Sequence, residues 1–444
     1  MDEKITVPKR ILSSLIRSIS AGVVPRLGAP YIAIGRDDEI AALLSDLNSV
    51  KEGGAAMRFL IGKYGSGKSF LMQLMRGYSL EQGFLCADCD LSPERRICGG
   101  KNSGVATYRE LMRNLASKTS PEGGALSLVI SKWLSSLQSD VASDGILPDS
   151  PEFVNEVSKR VYGVTKELEN NVGGFDFAHV IATYYKASVN SDEELKSRCM
   201  RWLRGEYTTK TEARRDLNVG SIIDDDSWYD YIKLWAEFSR HIGYNGLVVF
   251  IDECVNLYKI PNRISRENNY EMILSMFNDT LQGKAVGLDI IMGGTPQFLE
   301  DTRRGLYSYE ALRSRLTDSR FGGEGYRDLM GPVIRLRRLS DNELFALIAR
   351  LTKLHAQHFN WDVRITEDEM AEFLRSSLSR AGADVLITPR EIIRDYMTML
   401  NILYQNPDIK VYDVIGKVEA VSSSSSISAE ASEARAFTLA DIDI

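Results

Sequence analysis

Ile61-Gly62-Lys63-Tyr64-Gly65-Ser66-Gly67-Lys68-Ser69 carries the spacing G-x-x-x-x-G-K-[ST], between an apolar run from Met57 to Ile61 and a helical pattern that begins at Ser69. A strand, a tight loop and a helix in that order make a cradle for the phosphates of a nucleoside triphosphate. Each residue type has a mechanical reason. Gly62, Gly65 and Gly67 let the backbone turn tightly and aim N–H groups inward, where side chains would block phosphate. Ser66 lies in the same loop, and Phe70 opens a helix whose N-terminal partial positive charge faces the anion. Lys68 reaches the β- and γ-phosphates, and Ser69 offers a hydroxyl to Mg²⁺.

A second stretch matches the first in chemistry. Residues 247–253, Leu-Val-Val-Phe-Ile-Asp-Glu, are a continuous apolar run ending in two acids, the pattern of a buried parallel strand whose C-terminal end opens onto a site. Asp252 there can complete the Mg²⁺ coordination begun by Ser69, and Glu253 can polarise an attacking water. Residues 286–295 form a further apolar strand that ends on two glycines and Thr295. We expect it beside the Asp252 strand, with Thr295 close to the γ-phosphate.

The 444 residues are 44% hydrophobic and 26% charged, with a formal net charge of −7, which is the composition of a globular chain with room for two or three domains. The acidic balance gives no general drive toward nucleic acid, although a local basic patch is compatible with it. No run of eighteen apolar residues and no export signal are present, so the expected location is cytoplasmic. Five cysteines in a chain of this size do not suggest a disulfide framework. Cys86, Cys89 and Cys98 lack a nearby fourth ligand, and the segment 83–90 reads as a strand that turns positions three apart to opposite faces. His355 and His358 are one helical turn apart and read as surface or core-edge residues.

Along the chain, residues 9–20 place Ile11, Leu12, Leu15, Ile16 and Ile19 at helical spacing. From about 105 to 240 the pattern is mostly helical, a long insertion between the P-loop and the Asp252 strand. It contains Lys196, Arg198, Arg201 and Arg204 near one helical face, followed by Lys210, Arg214 and Arg215. Either a solvated basic helix or a contact surface for nucleic acid or an acidic partner fits those cations. Residues 336–405 switch to helices, with Pro389 suited to a first helical turn. The resulting organisation is an N-terminal helix and connector over 1–30, an α/β domain over 31–335, a helical lid over 336–415 and a Ser-rich tail over 416–444. The tail cannot bury enough apolar surface to order itself, and its last residues from Phe437 regain apolar character.

Together these segments resemble an AAA+ ATPase of the origin-recognition branch, and more closely the P-loop ATPases of bacteriophage-exclusion (BREX) defence systems. The resemblance spans roughly residues 10–405. It implies adenine contacts from Arg26, Gly35 and Arg36, a sensor at Thr295 where many relatives place Asn, and a lid arginine at Arg390 that reaches the γ-phosphate. It also implies an arginine supplied in trans by Arg313 or Arg315, of which we favour Arg315, and hence a homo-oligomer with shared sites. Origin-recognition relatives carry a C-terminal DNA-binding winged helix, and here only the serine tail follows the lid. The expected protein is an α/β, AAA+ type P-loop NTPase with a parallel sheet, a long helical insertion and a small helical lid. Its expected activity is Mg²⁺-dependent ATP hydrolysis, performed with defence-system partners that modify or sense DNA. A nucleotide-gated scaffold with little turnover and an initiator-like DNA-loading ATPase are the two alternatives.

Overall fold

The computed structural model describes residues 7–100, 102–148, 150–166, 168, 172–318, 327–379 and 388–415. The serine tail and the apolar segment from Phe437 lie outside the described residues. The chain divides into two compact units. One comprises the described residues of Met1–Gly35, Tyr64–Phe70 and Arg337–Ile444, and the other Arg36–Lys63 and Leu71–Leu336.

The larger unit is built on a five-stranded sheet in the order β2-β3-β4-β1-β5, with β1 at Ala55–Ile61, β2 at Leu85–Asp90, β3 at Leu247–Asp252, β4 at Leu288–Gly294 and β5 at Val333–Arg335. Every pairing is parallel. Near-continuous apolar runs such as Leu247–Ile251 and Leu288–Met292 suit strands covered on both faces, and all ten of those residues except Asp289 are buried hydrophobics. The helices Asp37–Lys51 and Arg263–Leu281 pack on β1, and Trp228–His241 packs on β3 and β4. The sequence expectation of an α/β fold with a parallel sheet holds.

Between β2 and β3 the chain forms the helices Ser103–Arg113, Leu126–Ser143, Pro151–Lys166, Gly174–Val189, Glu193–Leu203, Lys210–Leu217 and Trp228–His241. Their interior is aromatic. Phe177 meets Trp235 and Phe238 edge-on at 5.1 and 5.5 Å, and Trp133 meets Phe238 at 5.1 Å, the geometry in which a positive ring edge faces a negative ring face. Three of its polar handles are joined to partners: Trp235 Nε1 donates to the Tyr108 hydroxyl, which donates to the Leu203 carbonyl, and Trp202 Nε1 donates to the Ser221 carbonyl.

In the smaller unit the helix Lys9–Ser20 buries Leu12, Leu15, Ile16 and Ile19, the stripe expected from its spacing. It packs on Asp341–Phe359 and Pro389–Gln405, so the N-terminal helix shares one core with these two helices. Ser340 with Glu343, and Thr388 with Glu391, form capping boxes that satisfy the orphan first-turn amides of these two helices. His355 is fully buried; its Nδ1 accepts from Trp361 Nε1 and its Nε2 meets Asn401 Oδ1 at 3.0 Å. Burial holds its pKa below the usual value, and it serves as a satisfied core residue.

One buried group runs against the rest of the sheet. Asp289 sits inside β4, fully buried between its partners Ala56 and Val248, and its carboxyl oxygens find no well-formed hydrogen bond. Burial, and then the Asp46 carboxylate, push its pKa well up against the opposing pull of Arg58. The folded protein therefore keeps this proton to a higher pH than the unfolded chain does. The resulting stabilisation is full below the ordinary carboxylate range near ~4 and is lost as pH rises toward the folded pKa. We predict that Asp289→Val raises the thermal midpoint, by removing a desolvation cost of about 1–3 kcal/mol, and that the gain is larger at pH 8 than at pH 5. Calorimetry at the two pH values checks this, and a lower midpoint at both would refute it.

Candidate functional site

Parallel pairing brings the C-terminal ends of the strands to one edge of the sheet, where open α/β sheets hold their ligands. Ile61 of β1 is in register with Gly294 of β4, and Asp90 of β2 with Asp252 of β3. The P-loop leaves β1 at this edge. Its first residue remains tied to the sheet, since Gly62 N–H donates to the Gly294 carbonyl at 3.1 Å and Leu336 N–H donates to the Ile61 carbonyl at 2.8 Å. Lys68 and Ser69 begin the helix Lys68–Glu81 and are half-buried. Further along that helix Arg76 Nε binds Asp88 of β2 at 2.9 Å and fixes the helix to the sheet.

At the end of β3 the Asp252 carboxylate is half-buried, and its Oδ1 accepts the Glu253 N–H at 2.8 Å. Glu253 is exposed and adopts a left-handed backbone at φ 57°. A side chain rarely takes that conformation without a compensating constraint. Here the constraint comes from both flanks, because Leu91 N–H donates to the Asp252 carbonyl and Cys254 N–H to the Gly293 carbonyl, each at 3.0 Å.

Gly293 explains how the carboxylate fits. A Cβ at this position would lie 2.4 Å from Asp252 Oδ1 and 3.0 Å from Met72 Sδ. The double glycine at the end of β4 thus vacates the space that the acid occupies. The sequence signalled it only as a strand end rich in small residues.

Asp90 is a third acid at this edge. Loss of solvent around its carboxyl, followed by the nearby Asp252 and Glu253 carboxylates, raises its pKa. Its position at the end of an apolar strand resembles that of Asp252, which is the signal that could have identified it. After Asp90 the chain is clamped by the fully buried Asn269, whose Oδ1 accepts from Ile97 and Cys98 N–H and whose Nδ2 donates to the Cys98 and Ser265 carbonyls.

The remaining predicted residues have definite places. Thr295 caps the helix Pro296–Glu300 by accepting the Phe298 N–H at 3.3 Å, a role that the Thr-Pro pair at its start announces. Arg36 is buried, and its guanidinium meets the buried Glu39 at 3.4 Å, while Arg327 meets the same carboxylate at 2.7 Å. Arg26 is exposed, and Gly35 has a left-handed φ of 70° with Glu343 against it. Arg313 and Arg315 are exposed in the last turn of Glu310–Leu316, and Arg315 Nη1 donates to the Ala311 carbonyl at 2.8 Å. Arg390 opens the helix Pro389–Gln405 within the same unit as the P-loop residues Tyr64–Phe70.

The basic helices of the insertion are largely self-neutralised. Lys196 pairs with Glu193, Arg198 with Glu194, Arg201 with Glu212 and Arg215 with Asp216. Among the described residues no cluster of His, Cys, Asp and Glu could hold a metal ion, and all five cysteines are free. No described helix is long and apolar enough to cross a membrane.

A family model matches the sequence over almost the whole chain: that of the BREX system ATP-binding protein BrxC/D, across residues 7–419. No curated protein matches the chain. Matched along more than nine tenths of its length, and built on a five-stranded parallel sheet with the glycine-rich loop after β1 and paired acids at the end of β3, this chain is a member of the BREX system ATP-binding proteins BrxC/D.

Proposed function

We propose that the chain is a Mg²⁺-dependent ATPase that turns ATP binding and hydrolysis into work on partner proteins of its defence system. The observation that carries this reading is the left-handed Glu253, held beside Asp252 at the sheet edge from which the P-loop departs. A scaffold that only bound ATP would have no need to hold an exposed acid in a strained backbone.

The residues fit the expected division of labour. Ser69 offers a hydroxyl and Asp252 a carboxylate, hard oxygen donors suited to Mg²⁺, and Gly293 keeps the space beside Asp252 free of a side chain. Mg²⁺, when bound there, would offset part of the charge on the phosphates. Lys68 and the loop amides stabilise the phosphates, while Glu253 accepts a hydrogen bond from the attacking water and takes up its proton as the new P–O bond forms. The bond from the γ-phosphorus to the β-bridging oxygen breaks, and ADP and phosphate result. Thr295 has its hydroxyl hydrogen left to donate, because its oxygen lone pair serves the helix cap.

Arg315 is the residue we assign to a neighbouring copy. Neither it nor Arg313 makes an ion pair among the described residues, whereas Arg335 nearby is engaged by Glu300 and Asp318. An arginine presented without a carboxylate partner is available to transition-state charge on another subunit. The long insertion, with its own aromatic core, is the part we assign to partner contact. Its paired cations favour a protein partner over direct grip on DNA.

Three outcomes test this reading. Glu253→Gln retains ATP binding and lowers phosphate release by about 10²–10⁴-fold, whereas Lys68→Ala loses binding; equal phosphate release from wild type and Glu253→Gln would overturn the catalytic assignment. Gly293→Ala, which drives a methyl group into the Asp252 carboxylate, weakens ATP binding in Mg²⁺ much more than in EDTA; isothermal titration in the two buffers reads the difference. Arg315→Ala and Glu253→Gln, each inactive alone, regain turnover when mixed, since one chain then supplies the acid and its neighbour the arginine. Failure of mixing to restore phosphate release would refute the shared site.

A further inference from the structure

We infer that Tyr64, at the apex of the P-loop, is a positioning residue that holds the lid arginine Arg390 at the phosphate loop before nucleotide arrives. The inference rests on the reading of Arg390 as the arginine that meets the γ-phosphate, and assigns it a resting place on this chain's own loop.

Two contacts support it, both within the smaller unit. Arg390 Nη1 donates to the Tyr64 hydroxyl at 3.4 Å, and the guanidinium carbon lies 5.9 Å from the centre of the Tyr64 ring. The ring is otherwise costly in its place, since Tyr64 is 71% exposed in a loop where a small residue would suffice. Beside it, the backbone of Gly65 is pressed against the cap of the lid helix. A Cβ there would lie 2.6 Å from Thr388 Cβ and Cγ2, so Gly65, at φ 73°, lets loop and helix approach more closely than any other residue would allow.

Thr388 is fixed by its capping box with Glu391, and Arg390 follows two residues later on the same first turn. The helix start is therefore rigid, and the arginine's remaining freedom lies in its long side chain. A cation over an aromatic face restricts that freedom. A phenol is a weaker acceptor for a guanidinium than phosphate oxygens are, so arriving triphosphate can take the arginine from Tyr64 without a large barrier. The arginine is delivered with little search, because the orientational entropy has been lost in advance.

The test uses the full chain and four variants: Tyr64→Ala, Tyr64→Phe, Arg390→Ala and the double variant Tyr64→Ala/Arg390→Ala. In nucleotide-free protein, amide hydrogen exchange from Glu391 to Arg394 accelerates about two- to fivefold in Tyr64→Ala, the range of an exposed cation–aromatic contact, and Tyr64→Phe restores most of the protection. In steady-state assays Tyr64→Ala lowers kcat by a similar factor with KM nearly unchanged, and the double variant matches Arg390→Ala alone. Unchanged exchange in Tyr64→Ala, or additive losses in the double variant, would overturn the inference. Altered exchange in a protein whose phosphate release is indifferent to Glu253→Gln would keep this contact and instead remove the ATPase reading.

Discussion

The parallel hydrogen-bond ladder is the constraint from which the rest of the molecule follows. Because all five strands run the same way, everything that leaves their C-terminal ends leaves at one edge. With β4 between β1 and β3, the C-terminal ends of β1 and β3 are separated by the width of one strand, and that strand must give room to its neighbour. Gly293 is how it does so. The acid pair inherits its geometry from the same ladder: two backbone groups flanking Glu253, the Asp252 carbonyl and the Cys254 N–H, are tied to Leu91 just past β2 and to Gly293 of β4, which is what sustains a left-handed glutamate.

The insertion between β2 and β3 is attached to that edge by polar bonds. Asn269, on a helix that packs against β1, uses its amide to fix Ile97 and Cys98, and Trp228 donates its indole N–H to the Ile97 carbonyl. The segment that follows Asp90 is thus held on one side by the helix Arg263–Leu281 and on the other by the last helix of the insertion. A buried amide with every donor and acceptor used specifies one arrangement, since any shift leaves a polar group unpaired.

Much of this was legible in the sequence. The P-loop, the apolar run ending in Asp252 and Glu253, the stripe on residues 9–20 and the Pro389 helix start each have a local pattern with a physical cause. The order of strands was not legible, because a parallel ladder is set by crossovers whose length says little about which neighbour a strand chooses. Asp90 and Gly293 act through strands adjacent in space and carry no spacing motif. Tyr64 and Arg390 are 326 positions apart, and only the fold joins them. The ion pairing of the basic helices, by contrast, was readable: Glu193 and Glu194 stand three and four positions before Lys196 and Arg198, the spacing at which helical side chains meet.

That pairing changes how the insertion presents itself at a distance. Residues 193–217 contain seven cations and five carboxylates, and opposite charges held within a few ångströms cancel each other's field beyond roughly a Debye length of 10 Å. A polyanion drifting toward this face meets little attraction until it is nearly in contact. An encounter through this face would gain less from long-range steering, and lose less on raising salt, than one through seven unpaired cations. A partner that uses this surface is selected after collision, by shape.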